Sequence, residues 1–275
     1  MIRARDLPRL GAGVGYRAEL AHLVRQGGAF GCLELMPEHI LDAPPADAST
    51  ILRDVAAYPV LTHAVSVSVG SADGPNRRFL EGMRRISDAV DAPWVSDHLC
   101  FTRAGEKDIG QLVPIPYTHE SLDVLIRNVR EVQRALDRPV ALENVTRYFA
   151  YKNEDFTEPE FLTKLVEATG CFLLLDVTNV DNNHQNLGWD PDEYLRGLPM
   201  EAVIHLHLAG VHEHEGRVLD THAAPVAERV WKMTERVLEQ APVRAIIIER
   251  DDELGDLAQL QAEVARAAAL MEAHA

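Results

Sequence analysis

Apolar residues fall along the chain in short, nearly continuous runs, separated by longer stretches with helical spacing. The runs are 11–15 (GAGVG), 31–36 (GCLELM), 60–69 (VLTHAVSVSV), 94–100 (WVSDHLC), 140–145 (VALENV), 171–179 (CFLLLDVTN), 202–209 (AVIHLHLA) and 245–249 (AIIIE). Such runs, apolar on both sides of the pleat and partly β-branched, predict strands of a parallel sheet covered on both faces. Between them, 119–136, 225–238 and 256–271 carry apolar residues at 3–4 spacing and read as amphipathic helices, the first with Thr118 as its N-cap. Eight strands alternating with helices over 275 residues are the arithmetic of a (β/α)8 TIM barrel, an α/β fold. An open doubly wound sheet fits less well, because Gly11, Gly13 and Gly15 lack the dinucleotide-loop spacing. No linker or repeat interrupts the pattern, 43–46 (APPA) reads as one loop, and a single domain over 1–275 is expected.

The ends of the strands bring in the chemistry. Glu34, His63, His98, Glu143, Asp176 with Asn179, His205 with His207, and Glu249 close seven consecutive runs. Asp, Glu and His together are 55 of 275 residues, one in five, so chance does not readily place them at all seven. In a barrel these ends converge on the C-terminal face, where active sites are built. Mixed imidazole and carboxylate suit iron, manganese or zinc, whereas magnesium and calcium prefer oxygen alone. Several carboxylates at one barrel mouth would repel one another without cations between them, which points to a multinuclear centre.

Individual positions divide. His63, His98 and His207 occupy matched places on different strands and read as ligands, as does the pair Asp220 and His222 between two apolar runs. His205 reads as a core histidine directed away from His207. Glu34 and Glu38 read equally as supporting groups or polar cover, and Asp97 as facing away or orienting a neighbour. A loop is expected over 181–187 with His184, and another after the seventh strand with His212 and His214. Those three read as solvated or as near the site. Cys100 reads as a buried small hydrophobe, and His22, His39, His119 and His274 as surface residues.

Composition adjusts this picture little. The formal charge is −16, which argues weakly against a nucleic-acid surface. Cys32, Cys100 and Cys171 are odd in number and far apart, with no metal knuckle or disulfide framework, as suits a reducing cytosol. The start shows no signal peptide, and no run reaches membrane-spanning length, so no membrane association is expected.

The ordered set THAVSVSVGS, SDHL, LENV, LDVTN, IHLHLAG, DTH and IER, from Gly11 to Glu249, resembles the multinuclear non-haem iron-dependent oxidative enzymes of methanobactin and thiaglutamate biosynthesis. The resemblance implies a xylose-isomerase-like TIM barrel. It implies one iron held by His63, His98 and a bridging Glu143, and a neighbouring iron held by Asp176, His207 and Glu249. A third, weaker position would use Asp220 and His222 with Asn179 nearby. It also implies two or three iron ions, mixed Fe2+/Fe3+, and O2 as co-substrate. The substrate would be a ribosomally synthesised precursor peptide, usually bound through a cysteine thiolate and oxidised at its β-carbon. Glu143, Asp176 and His207 would stand at the catalytic centre, and a small separate partner protein would recognise the peptide leader. The loops with His184 and His212 depart from the family pattern.

Other readings of the same barrel are an endonuclease IV-like phosphodiesterase, a sugar isomerase of the xylose-isomerase-like superfamily, and a non-catalytic metal-storing barrel. The nuclease pattern has His where this chain has Asn179, and the acidic surface suits DNA poorly. The ordered motifs fit the isomerase less well, and a storage barrel leaves the clustered donors without purpose.

Overall fold

The computed structural model describes residues 2–28, 30–214, 216–251 and 257–275, with backbone alone at 213 and 214. Its strands are β1 (Gly11–Gly15), β2 (Cys32–Leu35), β3 (Val60–Ala64), β4 (Val95–His98), β5 (Cys100–Ala104), β6 (Lys107–Pro114), β7 (Val140–Glu143), β8 (Phe172–Asp176), β9 (Val203–His214), β10 (Arg217–Ala224) and β11 (Ala245–Glu249). The helices are α1 (Ala21–Gln26), α2 (Pro37–Leu41), α3 (Pro45–Val55), α4 (Arg77–Ala89), α5 (His119–Leu136), α6 (Glu158–Thr169), α7 (Val177–Leu187), α8 (Pro191–Gly197), α9 (Glu228–Leu238) and α10 (Leu257–Ala273). Strands β9, β11, β1, β2, β3, β4, β7 and β8 pair in parallel in that order, and β8 pairs back to β9 to close the ring. This is the TIM barrel expected from the alternating runs.

Period-2 alternation explains what fills the barrel. Cys32, Leu61, Trp94, Ala141, Leu174, Ile204, Ala245 and Ile247 form a compact apolar cluster, joined by Ala4 and Leu7 from the N-terminal segment. The residue two positions beyond many of these has the same facing and bears chemistry: Glu34, His63, Glu143, Asp176 and Glu249 follow Cys32, Leu61, Ala141, Leu174 and Ile247. An apolar plug thus lies directly beneath a polar layer. The outward residues of the same strands pack instead with the helices, in a separate core that includes Leu33, Leu142, Leu173 and Ile248.

Several strands end earlier than the apolar runs. β3 stops at Ala64 because the Val65 and Ser66 amides donate to Glu38 Oε1, both at 2.9 Å. β8 stops at Asp176, whose carboxylate caps α7 by accepting from the Asn179 amide at 2.8 Å. The segment 181–187, expected as a loop, is therefore the rest of α7, which ends at Gly188 with φ 76°. The loop expected after the seventh strand is a hairpin: β9 runs on to His214 and pairs antiparallel with β10. A second hairpin, β5–β6, has no counterpart in the sequence reading. The 43–46 loop is shorter than expected, since Pro45 opens α3. Helix 119–136 forms as expected, with Thr118 Oγ1 accepting from Ser121 N. The expected helix 225–238 begins only at Glu228, and that at 256–271 spans Leu257–Ala273, residue 256 lying outside the described residues. Among the described residues no helix is long and apolar enough to cross a membrane.

Candidate metal centre

Glu143, at the end of β7, is the hub. Its Oε2 lies 3.1 Å from His63 Nε2 and 3.3 Å from His98 Nε2. Its other oxygen lies 3.4 Å from His207 Nδ1, which is also 3.1 Å from Glu249 Oε2. The donor atoms of His63, His98 and Glu143 form one group within 4.8 Å of one another, and those of Glu143, Asp176, His207 and Glu249 form a second that shares Glu143. Asp220 and His222 sit alongside, 2.8 Å apart, with His222 Nδ1 3.7 Å from Glu249. The strand register produces this: His98 pairs with Glu143, Asp176 with His207, and Ala209 with Glu249 across neighbouring strands.

Each histidine also has a contact on its far nitrogen. His63 Nδ1 meets Ser96 Oγ at 2.9 Å, and His98 Nδ1 meets the Ala64 carbonyl at 3.0 Å. His222 Nδ1 meets Asp251 Oδ2 at 2.8 Å, and His207 Nε2 lies 3.0 Å from Glu34 Oε1. Such contacts fix ring orientation and leave the opposite nitrogen free to donate its lone pair.

The donor set fits cations. Glu143 Oε2, Asp176 Oδ2, Glu249 Oε2, Asp220 Oδ1, His222 Nε2 and both His207 nitrogens are buried without hydrogen-bond partners. Buried polar atoms without partners are rare because each loses its hydration uncompensated. Yet carboxylate oxygens and imidazole nitrogens of the cluster approach one another to 2.8–3.4 Å. Bonds of about 2.1 Å to a common cation put neighbouring donors about 3.0–3.4 Å apart, for octahedral and tetrahedral angles. The spacing is thus that of donors around a shared ion rather than of donors and acceptors sharing hydrogens.

Electrostatics agree. Burial opposes charge on Glu143, but His98, His207 and His63 hold its carboxyl well below the usual range. Burial, with the charges of Glu143, Asp220 and Glu249, pushes Asp176 well above it. Burial lowers His98 while Glu143 and Asp97 raise it, with the net result pushed up to about 10. Without a cation the cluster compensates its carboxylates with protons, and a bound metal would displace those protons.

The structure gathers His63, His98, Glu143, Asp176, His207 and Glu249 into these two groups, and Glu34, His205 and His207 form a third with metal-binding spacing. Asn179 lies on α7, and its amide is engaged elsewhere: Nδ2 donates to the Asn144 carbonyl at 3.0 Å, and Oδ1 accepts from Thr146 Oγ1. His205 corrects the expectation of opposite facing. Residues two apart on a strand share a face, and the His205 and His207 rings are 4.9 Å apart inside the barrel. His205 is fully buried, and burial holds its pKa down at about 3 despite Glu34, so it is neutral. Glu34 is more central than expected, buried and in reach of both histidines. Asp97 faces away from the donors and accepts from the His98 amide at 2.7 Å. His184 and His212 are exposed, and the His214 side chain lies outside the described residues. Cys100 is buried, like Cys32 and Cys171, and the four histidines expected at the surface are exposed.

A ladder of asparagines behind Glu143 carried no sequence signal that was read. Asn144 pairs with both the amide and the carbonyl of Asp176, at 2.9 Å each. Asn183 accepts from Arg147 N at 2.7 Å and donates to Val145 O at 3.1 Å. These bonds lock the loop after β7 onto α7. The spacing of Asn179, Asn182 and Asn183 on one helical face was the available clue.

A closed parallel barrel with histidine and carboxylate side chains gathered at its mouth is a TIM barrel with residue groups able to hold metal ions. The profile of one family, the RiPP precursor modification enzyme MbnB/TglH/ChrH, matches residues 11–272, and the chain belongs to that family. A UPF0276 protein of Caulobacter vibrioides is 40% identical over 233 residues, covering 84% of this chain and 80% of its own. The UPF0276 protein AM1_3026 of Acaryochloris marina is 33% identical over 259 residues, covering 94% and 93%. Among solved structures, a xylose isomerase-like TIM barrel protein from Mycobacterium smegmatis in complex with magnesium aligns with TM-score 0.61 at 13% identity, covering all of both chains. A D-psicose 3-epimerase with D-fructose aligns with TM-score 0.57 at 13% identity, over 94% of this chain and 97% of its own. At such identities the likeness is one of fold.

Proposed function

We propose that this protein is an iron-dependent oxidoreductase that uses O2 to modify a cysteine of a ribosomally synthesised precursor peptide. In this reading a single catalytic domain over 1–275 works in the cytosol, and a small partner protein presents the peptide leader. The observation that carries the proposal is one buried carboxylate, Glu143, shared by two donor groups, in a chain of the precursor-modification family.

His63, His98 and Glu143 would hold one iron, and Glu143, Asp176, His207 and Glu249 a second. Asp220 and His222 would serve a third position, with Asn179 setting the loop beside it. Bound iron, two or three ions in mixed Fe2+/Fe3+ states, supplies Lewis acidity toward a thiolate and electrons for O2. The chain's own residues do the rest. Glu143 holds both groups in one register, and Ser96 and the Ala64 carbonyl orient His63 and His98. The apolar plug of Leu61, Trp94, Leu174 and Ile247 excludes water from below. A cavity of about 1280 Å³, lined in part by Glu38, Ser66, Thr102, Arg103 and Gln111, opens past the ends of the His63 and His98 strands.

The test is anaerobic purification followed by metal analysis and Mössbauer spectroscopy. Two or three irons per chain, with a spectrum that changes on exposure to O2, are expected. Zinc without iron, together with cleavage of abasic DNA or epimerisation of a ketose, refutes the proposal.

A further inference from the structure

We infer that Glu34 is a positioning residue of the metal centre, acting through His207. The inference rests on the metal reading above and assigns this residue its part in it. Glu34 comes from β2, and its carboxylate is buried in the polar layer at the barrel mouth. Its Oε1 lies 3.0 Å from His207 Nε2, while its Oε2 lies 3.5 Å from His205 Nε2. The opposite nitrogen of His207 faces Glu249 and Glu143 at 3.1 and 3.4 Å.

A neutral imidazole carries its hydrogen on one nitrogen and its lone pair on the other. For Nδ1 to offer a lone pair among Glu143, Asp176 and Glu249, Nε2 must hold the hydrogen. In a dry interior that hydrogen needs an acceptor. Among the described residues Glu34 is the carboxylate within ion-pair distance of Nε2. The 3.0 Å contact is not aligned as a hydrogen bond; a turn of the ring that brings the N–H onto Glu34 would fix the tautomer and strengthen the donor.

The four histidines at the mouth differ in this respect. His63 and His98 have neutral oxygens as the nearest atoms to their far nitrogens, from Ser96 and Ala64 at 2.9 and 3.0 Å, with the Asp97 carboxylate farther from His98 Nδ1 at 3.6 Å. His222 has Asp251, which is 42% exposed and ion-paired with Arg17. Among the described residues His207 has the buried carboxylate nearest its far nitrogen, at 3.0 Å against 3.6 Å for Asp97 at His98, and the ion-pair partners of Glu34 are histidines alone. Loss of Glu34 thus falls on the second donor group, Glu143–Asp176–His207–Glu249, and spares the His63–His98 group.

The experiment is anaerobic Co2+ titration of the metal-free full-length protein, followed by d–d absorption and paramagnetic proton NMR. The wild type is expected to show an exchangeable, hyperfine-shifted N–H from His207. In Glu34→Gln one cobalt equivalent weakens about tenfold and the N–H resonance moves, while the remaining cobalt binds as before. In Glu34→Ala that equivalent weakens by up to about a hundredfold, the usual range for such partners. A merely structural residue leaves the N–H resonance where it is. Both variants binding cobalt like wild type, with native circular dichroism and an unmoved resonance, overturn the inference. So does a wild type without the His207 N–H, since Nε2 and Glu34 would then bind a cation directly. If Glu34→Ala fails to fold, Glu34→Gln, of nearly equal shape, decides. A wild type that takes up no cobalt refutes the metal centre as a whole, a result distinct from the failure of Glu34 alone.

Discussion

Replacing Glu143 with Gln tests the shared-carboxylate architecture most directly. The side chain is buried and keeps its shape, so the change removes charge with little effect on packing. It takes an anionic donor from both groups at once, because one oxygen faces His63 and His98 while the other faces His207. A cation present at one hundred times its Kd stabilises the folded state by about 2.7 kcal/mol. For a chain of this length, about 2 °C of Tm accompanies each kcal/mol. Two independent cations should then raise Tm by about 10 °C. A tenfold loss of affinity in each group removes about 1.3 kcal/mol per cation, so the variant should keep only about half of that rise. The metal-free Tm should fall, because His98, His207 and His63 hold the Glu143 carboxyl well below its usual range and lose that partner, and relief at Asp176 offsets only part of this. Asp176 is burdened first by burial and next by the charge of Glu143, and the substitution relieves the second of these. The assay is anaerobic differential scanning calorimetry with and without Fe2+ or Co2+, with metal content measured after gel filtration. An unchanged metal-induced shift with unchanged stoichiometry refutes the shared role.

Other positions give independent checks. Glu158 is buried, and burial pushes its carboxyl up to about 7 despite the nearby Arg147. Its neutral form favours folding, so its contribution is full below about pH 4.5 and is lost as pH rises through 7, roughly 3 kcal/mol in all. Urea unfolding at pH 5 and pH 8 should show Glu158→Gln gaining on wild type by that order at the higher pH, and a pH-independent difference contradicts it. Trp94→Ala should cost about 3–5 kcal/mol in the same assay, since the fully buried ring plugs the barrel interior. Asn183→Ala should cost about 2–3 kcal/mol, from two lost bonds and the buried backbone groups left behind. Hydrogen exchange should show the Arg147 amide losing protection in that variant.

The barrel was legible because parallel strands covered on both faces leave near-continuous apolar runs, and all eight runs became barrel strands. Their ends were less legible. Asp176 shows why: the same residue ends a strand, caps a helix and offers a free buried oxygen, and an apolar pattern cannot say which role stops the run. The hairpins at 100–114 and 210–224 escaped because they lie beyond the barrel, where pairing depends on turns rather than on core periodicity. Most donors were legible because strand ends converge in this fold. His205 was misplaced by facing, and the β9 irregularity between Val203 and His205 gives its strand an extra residue there. The asparagine ladder was missed because amides carry no charge or apolar signal. It matters only once Glu143 and Asp176 stand beside each other.

The net charge of −16 takes its meaning from location. Surface carboxylates in excess keep a protein soluble and add little to its chemistry. Glu34, Glu143, Asp176 and Glu249 are different, being buried and gathered with histidines at one end of the barrel. Stability alone would favour apolar side chains there, continuing the plug below, since buried charge is expensive unless compensated. The histidines compensate part of it, which is why His98, His207 and His222 are held protonated above their usual range. The imidazoles can surrender those protons to a cation, and the carboxylates then compensate the cation instead. The metal-free barrel therefore holds its donors poised with protons in the places that metal would take. On this argument metal uptake should release protons, measurable as acidification of a weakly buffered solution during Co2+ addition. Uptake with no proton release would mean that the donors are already deprotonated and that the cluster is balanced in some other way.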